Sequence, residues 1–520
     1  MLTLETLSIM YWGILPLALL YYFWDLSVTR TFTRAVGKHP VVGSSSCWAP
    51  RIFLNLVFAA NASWLVKEGY HKYKNGTFQL LRGSGSALIL PISVLEELAG
   101  LPPSVASPHA ALEHDLLGAY TGLDIILESR MHHTIVQRKL TPRLPSLTPA
   151  LQRELVASLD ELFPDCADWA EIQPFRVLGK VTARLSARAM LGHTFCRNPQ
   201  WLDISVHYTE NLFQTIVILR LFPSWMHPAL SRCLPSFWRC QAYLRSTKDL
   251  LGPVIRDMIE ENDKGSFSPK PTEDNFNVLT WLVEAAKGSD RNPDTLAHVE
   301  ILLALASVHT ILLRNVNVLY DLIENPQYID ELREEIHSVW ATTGWIDTAD
   351  SYSKLHKLDS VLRESQRLSP PTILGLKRLF KQPYTFSSGI SINQGTYVAL
   401  PVMAIENDPD HTVNPERFDG LRSYRMFQNM DGSRSNRVGH QFSTVDKTVL
   451  NFGYGKTSCP GRHFASLVIK MVFVKLLTAY EFRFLPGKGR PKNYEVHEFL
   501  FPWPWDSIQV RNREDRACPF

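Results

Sequence analysis

Mixed patterns of apolar and polar residues with few turn residues dominate the chain and predict helices. The clearest of them cover 115–137, 150–163 and 175–191. Hairpin patterns are shorter and fall at 77–90 and 384–400. The chain is therefore predicted to be mainly helical with a small β portion.

The longest predicted helix begins after Asn292, a good N-cap that is followed by a proline suited to the first helical position. Its apolar run continues through Leu319 and ends before an Asn-Pro pair. A helix of this length must cross the whole domain. It carries His309 and Thr310 in its middle, where polar groups cost free energy unless they are paired or used.

The N-terminal segment 7–24 contains no charged residue and is long enough to cross a bilayer. The positive-inside rule places the residues after it in the cytosol, because three basic residues follow it, at Arg30, Arg34 and Lys38. We therefore expect residues 1–28 to form a single-pass anchor with its linker and residues 29–520 to form a cytosolic domain. The alternative is a buried core helix.

The composition argues against several other classes of protein. With 45% hydrophobic residues in 520, the chain can bury a large core, and a net charge of +3 gives no case for a nucleic-acid partner. Its seven cysteines form no CxxC pair and no zinc spacing. A low, odd count favours a reducing compartment over a disulfide scaffold and leaves metal ligation open.

The strongest chemical signal is the segment 452–461, FGYGKTSCPG. Glycines before and after Cys459 let the backbone approach a flat ligand. The apolar helix predicted from Arg462 onward places Cys459 near a positive helix end, which favours the thiolate. A thiolate bound to haem iron favours O–O cleavage. The alternative is a buried free cysteine in a glycine-rich turn.

This segment resembles the haem-binding loop of the cytochrome P-450 family, FGxGxxxCxG. Two more family signatures stand upstream in the right order, ExxR at 364–367 and PERF at 415–418. The resemblance implies the cytochrome P-450 fold and haem b bound through the Cys459 thiolate. It also implies a loop that contacts haem through Phe452, Gly453 and Gly461, and a charged triad that locks the meander beneath the haem, formed by Glu364, Arg367 and Arg417.

Candidate partners for the haem propionates come from the same resemblance. Arg378 matches the last arginine of the family's RLxPP…R stretch. In the segment matching the family's C-helix, His133, Arg138 and Lys139 are open alternatives, with Arg138 taken as the candidate. Thr457 stands where the family usually has a basic residue.

The central helix resembles the family's oxygen-activation helix, AGx(D/E)TT. Here Ser307 replaces the glycine and His309 replaces the acid. A His-Thr pair is similar to fungal members that modify terpenoids and indole alkaloids. Thr310 is expected to pass protons as a relay, and His309 to titrate near neutral pH and supply them. The alternative for Thr310 is a core hydroxyl bonded back to the carbonyl four residues earlier.

Residues matching the family's pocket lining are apolar and carry no charge, so the substrate is expected to be bulky and hydrophobic. They are Ile301, Leu302, Leu305, Ala306, Ile373, Leu374, Leu500 and Phe501. The alternative for each is ordinary core packing.

Electrons are expected from a separate NADPH–cytochrome P-450 reductase in the endoplasmic reticulum membrane, because the chain has no flavin or nicotinamide motif. A basic face could receive it, formed by Arg138, Lys139, Arg143, Lys470, Lys475 and Lys488. The sequence favours hydroxylation or further oxidation of a hydrophobic metabolite. A haem-thiolate isomerase or peroxide-using enzyme, and a non-catalytic haem sensor or binding protein, remain alternatives.

Overall fold

The computed structural model describes residues 39–43, 51–82, 85–265, 276–346, 348–428, 440–515 and 517–520. The predicted anchor, 7–24, lies outside these residues. Within them, one helix, Pro293–Glu324, has the length and composition to cross a membrane. Because 78% of its most apolar stretch is buried inside the protein, it is a core helix.

Helices form most of the described chain, as the apolar patterns predict. In chain order they are α1 (Arg51–Lys72), α2 (Leu95–Gly100), α3 (Pro108–Leu116), α4 (Gly118–Thr121), α5 (Ile125–Glu128), α6 (Met131–Ile135), α7 (Thr141–Leu162), α8 (Pro174–Met190), α9 (His193–Cys196), α10 (Pro199–Leu219), α11 (His227–Cys233), α12 (Pro235–Asp263), α13 (Val278–Ala285), α14 (Pro293–Glu324), α15 (Gln327–Thr343), α16 (Thr348–Ser353), α17 (His356–Leu368), α18 (Val402–Glu406), α19 (Arg422–Gln428) and α20 (Arg462–Ala479).

The central helix α14 confirms the prediction made from its N-cap. The Asn292 side chain accepts a hydrogen bond of 2.8 Å from the amide of Asp294. Helices α8, α10, α12, α17 and α20 all pack against α14. A helix enclosed in this way can be apolar on nearly every face, which is what the sequence shows.

Strands form a smaller region beside the helices. They are β1 (Val41–Val42), β2 (Phe78–Arg82), β3 (Gly85–Ile89), β4 (Ala106–Ser107), β5 (Ala170–Ile172), β6 (Gly375–Phe380), β7 (Tyr384–Thr385), β8 (Ser391–Ile392), β9 (Tyr397–Leu400), β10 (Tyr480–Phe484), β11 (Tyr494–Val496), β12 (Phe499–Phe501) and β13 (Ile508–Asn512). The largest sheet has the order β1-β2-β3-β9-β6-β4. Strands β10, β13 and β5 form a second sheet, while β11–β12 and β7–β8 are two-stranded.

Two predicted elements differ from the structure. The helix predicted over 115–137 is broken into short pieces, because Leu117 and Gly122 adopt left-handed backbone conformations with φ of 50° and 78°. The hairpin predicted over 384–400 divides: β7 pairs with β8, while β9 joins the large sheet between β3 and β6. The hairpin predicted over 77–90 is confirmed by the antiparallel pair β2–β3.

Candidate active site

A tight loop delivers Cys459 to the start of α20. The Cys459 amide donates a hydrogen bond of 2.7 Å to the carbonyl of Phe452, which closes the loop. Gly453 has a φ of +78°, and a Cβ there would lie 3.3 Å from the Cα of Ser458. Glycine is therefore required at this turn, as the motif predicts.

The surroundings of the Cys459 thiol have opposing effects on its pKa. Its side chain is exposed, yet the surrounding protein is dense enough that desolvation raises the pKa of the thiol. The backbone amides of Gly461 and Arg462 and the charge of Arg462 act in the opposite direction and lower this pKa. A metal cation on the sulfur would supply the charge compensation that these groups provide only in part.

The middle of α14 has an accessible face. Ala306 and Thr310 are exposed there, although Ser307 and His309 between them are buried. Residues four apart share a helix face, so the two exposed side chains look in one direction. One cavity is lined by Thr310 from α14, by Phe452 from the cysteine loop and by Leu500 from β12.

The hydroxyl of Thr310 donates a hydrogen bond of 2.7 Å to the carbonyl of Ala306. The back-bond that characterises a core threonine is thus present. Thr310 is nevertheless open to the cavity, and its oxygen keeps lone pairs that can accept a hydrogen bond from a water or ligand.

His309 lies on another face of α14 and is only 8% exposed. Neither ring nitrogen has a hydrogen-bond partner within the described part of the chain. Burial, assisted by the charge of His207, lowers the pKa of His309 to about 4. The expectation that this imidazole titrates near neutral pH is therefore wrong, and its participation in proton supply stays a prediction.

Arg378 is a buried guanidinium beside the cysteine loop. Its Nη2 donates to the Thr457 hydroxyl at 2.8 Å, and its Nη1 donates to the Lys377 carbonyl at 2.9 Å. Its Nε is buried without a partner among the described residues, and burial lowers its pKa to about 10. A buried guanidinium of this kind needs an anion, and a haem propionate would supply it. Thr457 orients Arg378 in this arrangement.

Further polar atoms without partners gather around Arg378. The Nδ1 atoms of His109 and His132 are buried and have no hydrogen-bond partner among the residues that the structure describes. Burial lowers the pKa of His109, and the nearby charges of Arg130, His133 and Arg378 lower it further. In the tautomer with Nδ1 protonated, these histidines would be open donors that fit the acidic edge of a haem.

Arg138, the sequence candidate for this contact, lies in a short π-helical segment, Val136–Leu140, and is exposed. His109, in contrast, is close enough to Arg378 for the charge of that guanidinium to lower its pKa. Motif spacing did not single out His109 or His132. The signal that could have found them is the unusual His-His pair at 132–133 within an apolar pattern.

A buried carboxylate anchors the meander that leads to the cysteine loop. Both oxygens of Glu364 accept from Arg367, at 3.0 Å from Nε and 2.7 Å from Nη2. Arg422 adds hydrogen bonds of 3.1 and 3.2 Å to the same two oxygens. The Glu364–Arg367 pair predicted from ExxR is present in the structure.

The third member of this triad differs from the prediction. The Arg417 side chain is exposed, and the residue contributes its backbone carbonyl, which accepts hydrogen bonds from Arg367 and Arg422 at 3.4 and 3.2 Å. Arg422 occupies the predicted place of the Arg417 guanidinium, because the chain turns between them and α19 brings Arg422 over Glu364.

Glu406 is a functional residue that the motifs did not reveal. One of its oxygens accepts from the amides of Leu450 and Asn451 at 2.6 and 3.1 Å, and the other accepts from the Asn451 side chain at 2.6 Å. Glu406 therefore fixes the backbone just before the cysteine loop. No periodic signal marks a lone acid at the end of the short helix α18.

The predicted pocket residues divide between cavity and core. Leu500 lines the cavity, Ala306 is exposed on the same face of α14 as Thr310, and Phe501 is half-buried with its ring 5.9 Å from that of Phe213. Leu305 is partly buried against the core. The remaining four are buried in the core clusters: Ile301, Leu302, Ile373 and Leu374.

The predicted basic face loses one member. Lys470 is buried, and its ammonium donates to Asp359 at 2.7 Å and to the Tyr352 carbonyl at 2.9 Å. It cannot meet a partner protein, because both contacts hold it inside the domain.

Comparison with known proteins identifies the architecture. The family model for cytochrome P450 matches residues 114–510. The cytochrome P450 monooxygenase AN1598 of Emericella nidulans is 39% identical over 92% of this chain and 88% of its own length. An ent-kaurene oxidase of Fusarium fujikuroi is 33% identical over 92% of this chain and 89% of its own length. The cytochrome P450 monooxygenase paxP of Penicillium paxilli is 32% identical over 97% and 96%.

A solved structure agrees on the fold. The retinoic acid-bound cyanobacterial CYP120A1 matches with a TM-score of 0.64 and 19% identity, over 92% of this chain and all of that chain. The helix-rich domain with its small sheets is thus a known haem-protein architecture. From the family match, the relatives and the geometry of the cysteine loop, the chain belongs to the cytochrome P450 family of haem-thiolate monooxygenases, which bind the haem iron through a cysteine.

Proposed function

We propose that this protein uses O2 and electrons from an NADPH–cytochrome P-450 reductase to hydroxylate or further oxidise a bulky hydrophobic metabolite. The observation that carries the proposal is the shared cavity between the cysteine loop and the middle of α14. It joins Phe452 on one side to Thr310 on the other. A group that reacts above a thiolate-bound haem would lie between these walls.

Each residue has a distinct task in this proposal. Bound haem supplies the oxygen-activating chemistry. Cys459 would hold the haem iron, and Arg378 would bind a propionate through its Nε, which has no hydrogen-bond partner among the described residues. The Thr310 hydroxyl holds a water and passes protons through hydrogen bonds in an otherwise apolar enclosure.

The substrate class rests on the relatives and on the pocket wall. One relative is named as an ent-kaurene oxidase and others as fungal cytochrome P450 monooxygenases. The wall near Leu500 is aromatic: the Phe213 ring lies 5.6 Å from that of Phe499 and 5.9 Å from that of Phe501. Both observations favour a terpenoid or indole-alkaloid substrate in secondary metabolism.

The electron source decides between this proposal and its rivals. Full-length protein in microsomes is given a panel of terpenoids and prenylated indoles, with and without reductase and NADPH. Products that appear only with both support the proposal. Turnover with peroxide, or rearrangement of a substrate without reductase and NADPH, would favour a haem-thiolate isomerase or peroxide-using enzyme. The absence of an acid beside Thr310 is the reason for considering that alternative. Haem binding without any turnover would favour a sensor.

The membrane anchor is a separate proposal. The uncharged segment 7–24 and the basic residues after it support a single-pass anchor in the endoplasmic reticulum membrane with the catalytic domain in the cytosol. Protease added to intact microsomes should then digest the domain. Glycans on Asn61 or Asn75, which both stand in acceptor sequences, would place the domain in the lumen and contradict this topology.

A further inference from the structure

A group of charged side chains is buried between the large sheet, α3 and the end of α10. We call it the buried charge cluster, and it consists of Arg82, Asp115, Arg220, Lys377 and Glu498. Lys377 is the most exposed of them, with 16% of its side chain accessible, and the others are at most 2% exposed. Segments far apart in sequence converge here, so no local motif announces the cluster.

The two acids of the cluster are shared among the three cations. Arg82 Nη1 lies 3.1 Å from Asp115 Oδ1, and Arg220 Nη2 lies 2.7 Å from Glu498 Oε2. Lys377 Nζ bridges the acids, at 2.7 Å from Asp115 and 3.1 Å from Glu498. These contacts tie β2, α3, β6 and the turn between β11 and β12 to one another.

The cluster carries a surplus positive charge. Its three cations stand against two acids, and these cations keep the pKa of Asp115 and of Glu498 well below the usual range. Tyr397, which donates to Asp115 at 2.7 Å, has a raised pKa because of burial and stays neutral. The adjacent His114 can only add positive charge. A net charge of this kind is costly away from water unless an anion balances it.

The same cluster has donors without acceptors. Arg220 Nε and Nη1 and Arg82 Nε are buried, and none has a hydrogen-bond partner within the described ranges. A guanidinium cannot shed its proton, so these N–H groups remain donors at any physiological pH. Surplus charge and open donors therefore point to the same missing group, an acceptor with a negative charge.

The cluster adjoins the wall of the candidate substrate cavity. The Phe499 ring lies 5.8 Å from Arg220 Cζ and 5.6 Å from Lys377 Nζ. Phe499 precedes Leu500, which lines the cavity together with Thr310. The Phe499 ring therefore lies beside the charges of the cluster and also beside the rings of Phe213 and Phe501, at 5.6 and 6.2 Å, which form the aromatic wall.

We propose that the buried charge cluster is an anion subsite of the substrate pocket, which binds the carboxylate of a substrate whose body is apolar. This inference rests on the proposed function, since it extends the same pocket. It narrows the substrate class from hydrophobic metabolites in general to hydrophobic acids. The carboxylate accepts from Arg220 and balances the charge, while the apolar body lies along the aromatic wall of Phe499, Phe501 and Phe213 toward Thr310.

The test compares an acid with its own ester. Full-length haem-loaded protein is titrated at pH 7.5 with abietic acid and with methyl abietate, and binding is followed by the shift in the haem absorption band. Because hydrogen bonds to a charged group add binding free energy that the ester cannot gain, the acid is expected to bind about tenfold more tightly.

Variants locate the effect. Arg220→Gln leaves Arg82 and Lys377 against Asp115 and Glu498, a balanced set, so the acid is expected to lose its tenfold advantage while ester affinity is kept. Lys377→Met also leaves two cations against two acids. It is used in place of Arg220→Gln if that variant fails to bind haem. Arg184→Gln is the matched control, a buried arginine paired with Glu154 at 2.6 Å outside the cluster, and it should keep the preference for the acid.

Two results would overturn the proposal: an acid that binds no more tightly than its ester, including the case in which neither binds, or a preference that survives both cluster variants. Water molecules would then be the partners of the open donors. These titrations need no reductase. Reductase-dependent oxidation of neutral substrates with no preference for acids would therefore reject the subsite and leave the proposed function intact.

Discussion

The two sides of the candidate haem cavity are built differently. On the thiol side, the buried carboxylates that support the loop are paired: Glu364 binds Arg367 and Arg422, and Glu406 binds the backbone before the cysteine loop. On the opposite side, polar atoms stand alone in an apolar setting. His309 has no partner for either ring nitrogen among the described residues, and Arg220 has open donors behind an aromatic wall.

This difference distinguishes residues that hold the cofactor-binding loop in place from residues that meet a substrate or a water molecule. Groups that support the cysteine loop gain from having every hydrogen bond made, because a rigid loop keeps its ligand in place. Groups that meet a substrate or a water must keep donors or acceptors free until the ligand arrives. Saturated networks in this protein therefore mark support, and buried polar atoms without partners mark places where something else binds.

The largest expected effect concerns the thiol itself. Cys459→Ala should abolish the red-shifted Soret band of the reduced, carbon monoxide-bound protein, because only thiolate ligation produces that shift. Cys240→Ala is the control, a free cysteine that is fully buried in the core, and it should keep the band. If the band survives in Cys459→Ala, another residue holds the iron.

The supporting network should yield the next largest effect. Glu364→Gln leaves two arginines without their carboxylate and is expected to cost about 3–5 kcal/mol of stability. Arg422→Ala removes two of the hydrogen bonds to Glu364 and should cost about 1.5–3 kcal/mol. Arg417→Ala, which alters an exposed side chain, should change stability by no more than about 0.5 kcal/mol.

Urea titrations that follow the loss of the haem band measure all three variants. If Arg417→Ala proves as costly as Arg422→Ala, the triad is the one predicted from the PERF motif, and the position of Arg422 is incidental. Comparing Arg422→Ala with Arg417→Ala therefore tests whether the hydrogen bonds in the structure or the PERF motif identifies the arginine that supports Glu364.

Local motifs predicted the thiol side well for a physical reason. Glu364 and Arg367 share one helix face, and Cys459 and its glycines lie within one turn, so short-range spacing carries the information. The cavity wall and the buried charge cluster depend on contacts between distant segments. Arg82 and Glu498 are 416 positions apart in the sequence, and no pattern in either segment announces their meeting. Even on the thiol side, Arg417 was misplaced because a loop, not a helix, separates it from Glu364.

On the reacting side, Thr310→Ala should uncouple the enzyme. Without the hydroxyl, proton delivery in the cavity is impaired while electrons are still consumed, so NADPH consumption continues, peroxide rises and product falls roughly a hundredfold. Thr310→Ser should restore most of the coupling. Thr182→Ala is the control, a fully buried threonine that is also bonded back, at 2.7 Å to the Leu178 carbonyl. Full coupling in Thr310→Ala would show that Thr310 only packs.

The smallest expected effect comes from His309 and appears only in acid. Burial holds the pKa of its imidazole at about 4 in the folded protein, against about 6.5 in the unfolded chain. As pH falls from 6.5 toward 4, the unfolded chain binds a proton that the folded protein does not bind, so stability is lost across this window.

Between pH 7 and pH 5, the native protein should lose about 2 kcal/mol more stability than His309→Leu, as measured by urea unfolding at both values. His411→Gln, which removes an exposed histidine that does not influence His309, should behave like the native protein. An equal acid sensitivity of the native protein and His309→Leu would mean that His309 is protonated in the fold, and that a partner reaches its ring nitrogens when the cavity is filled.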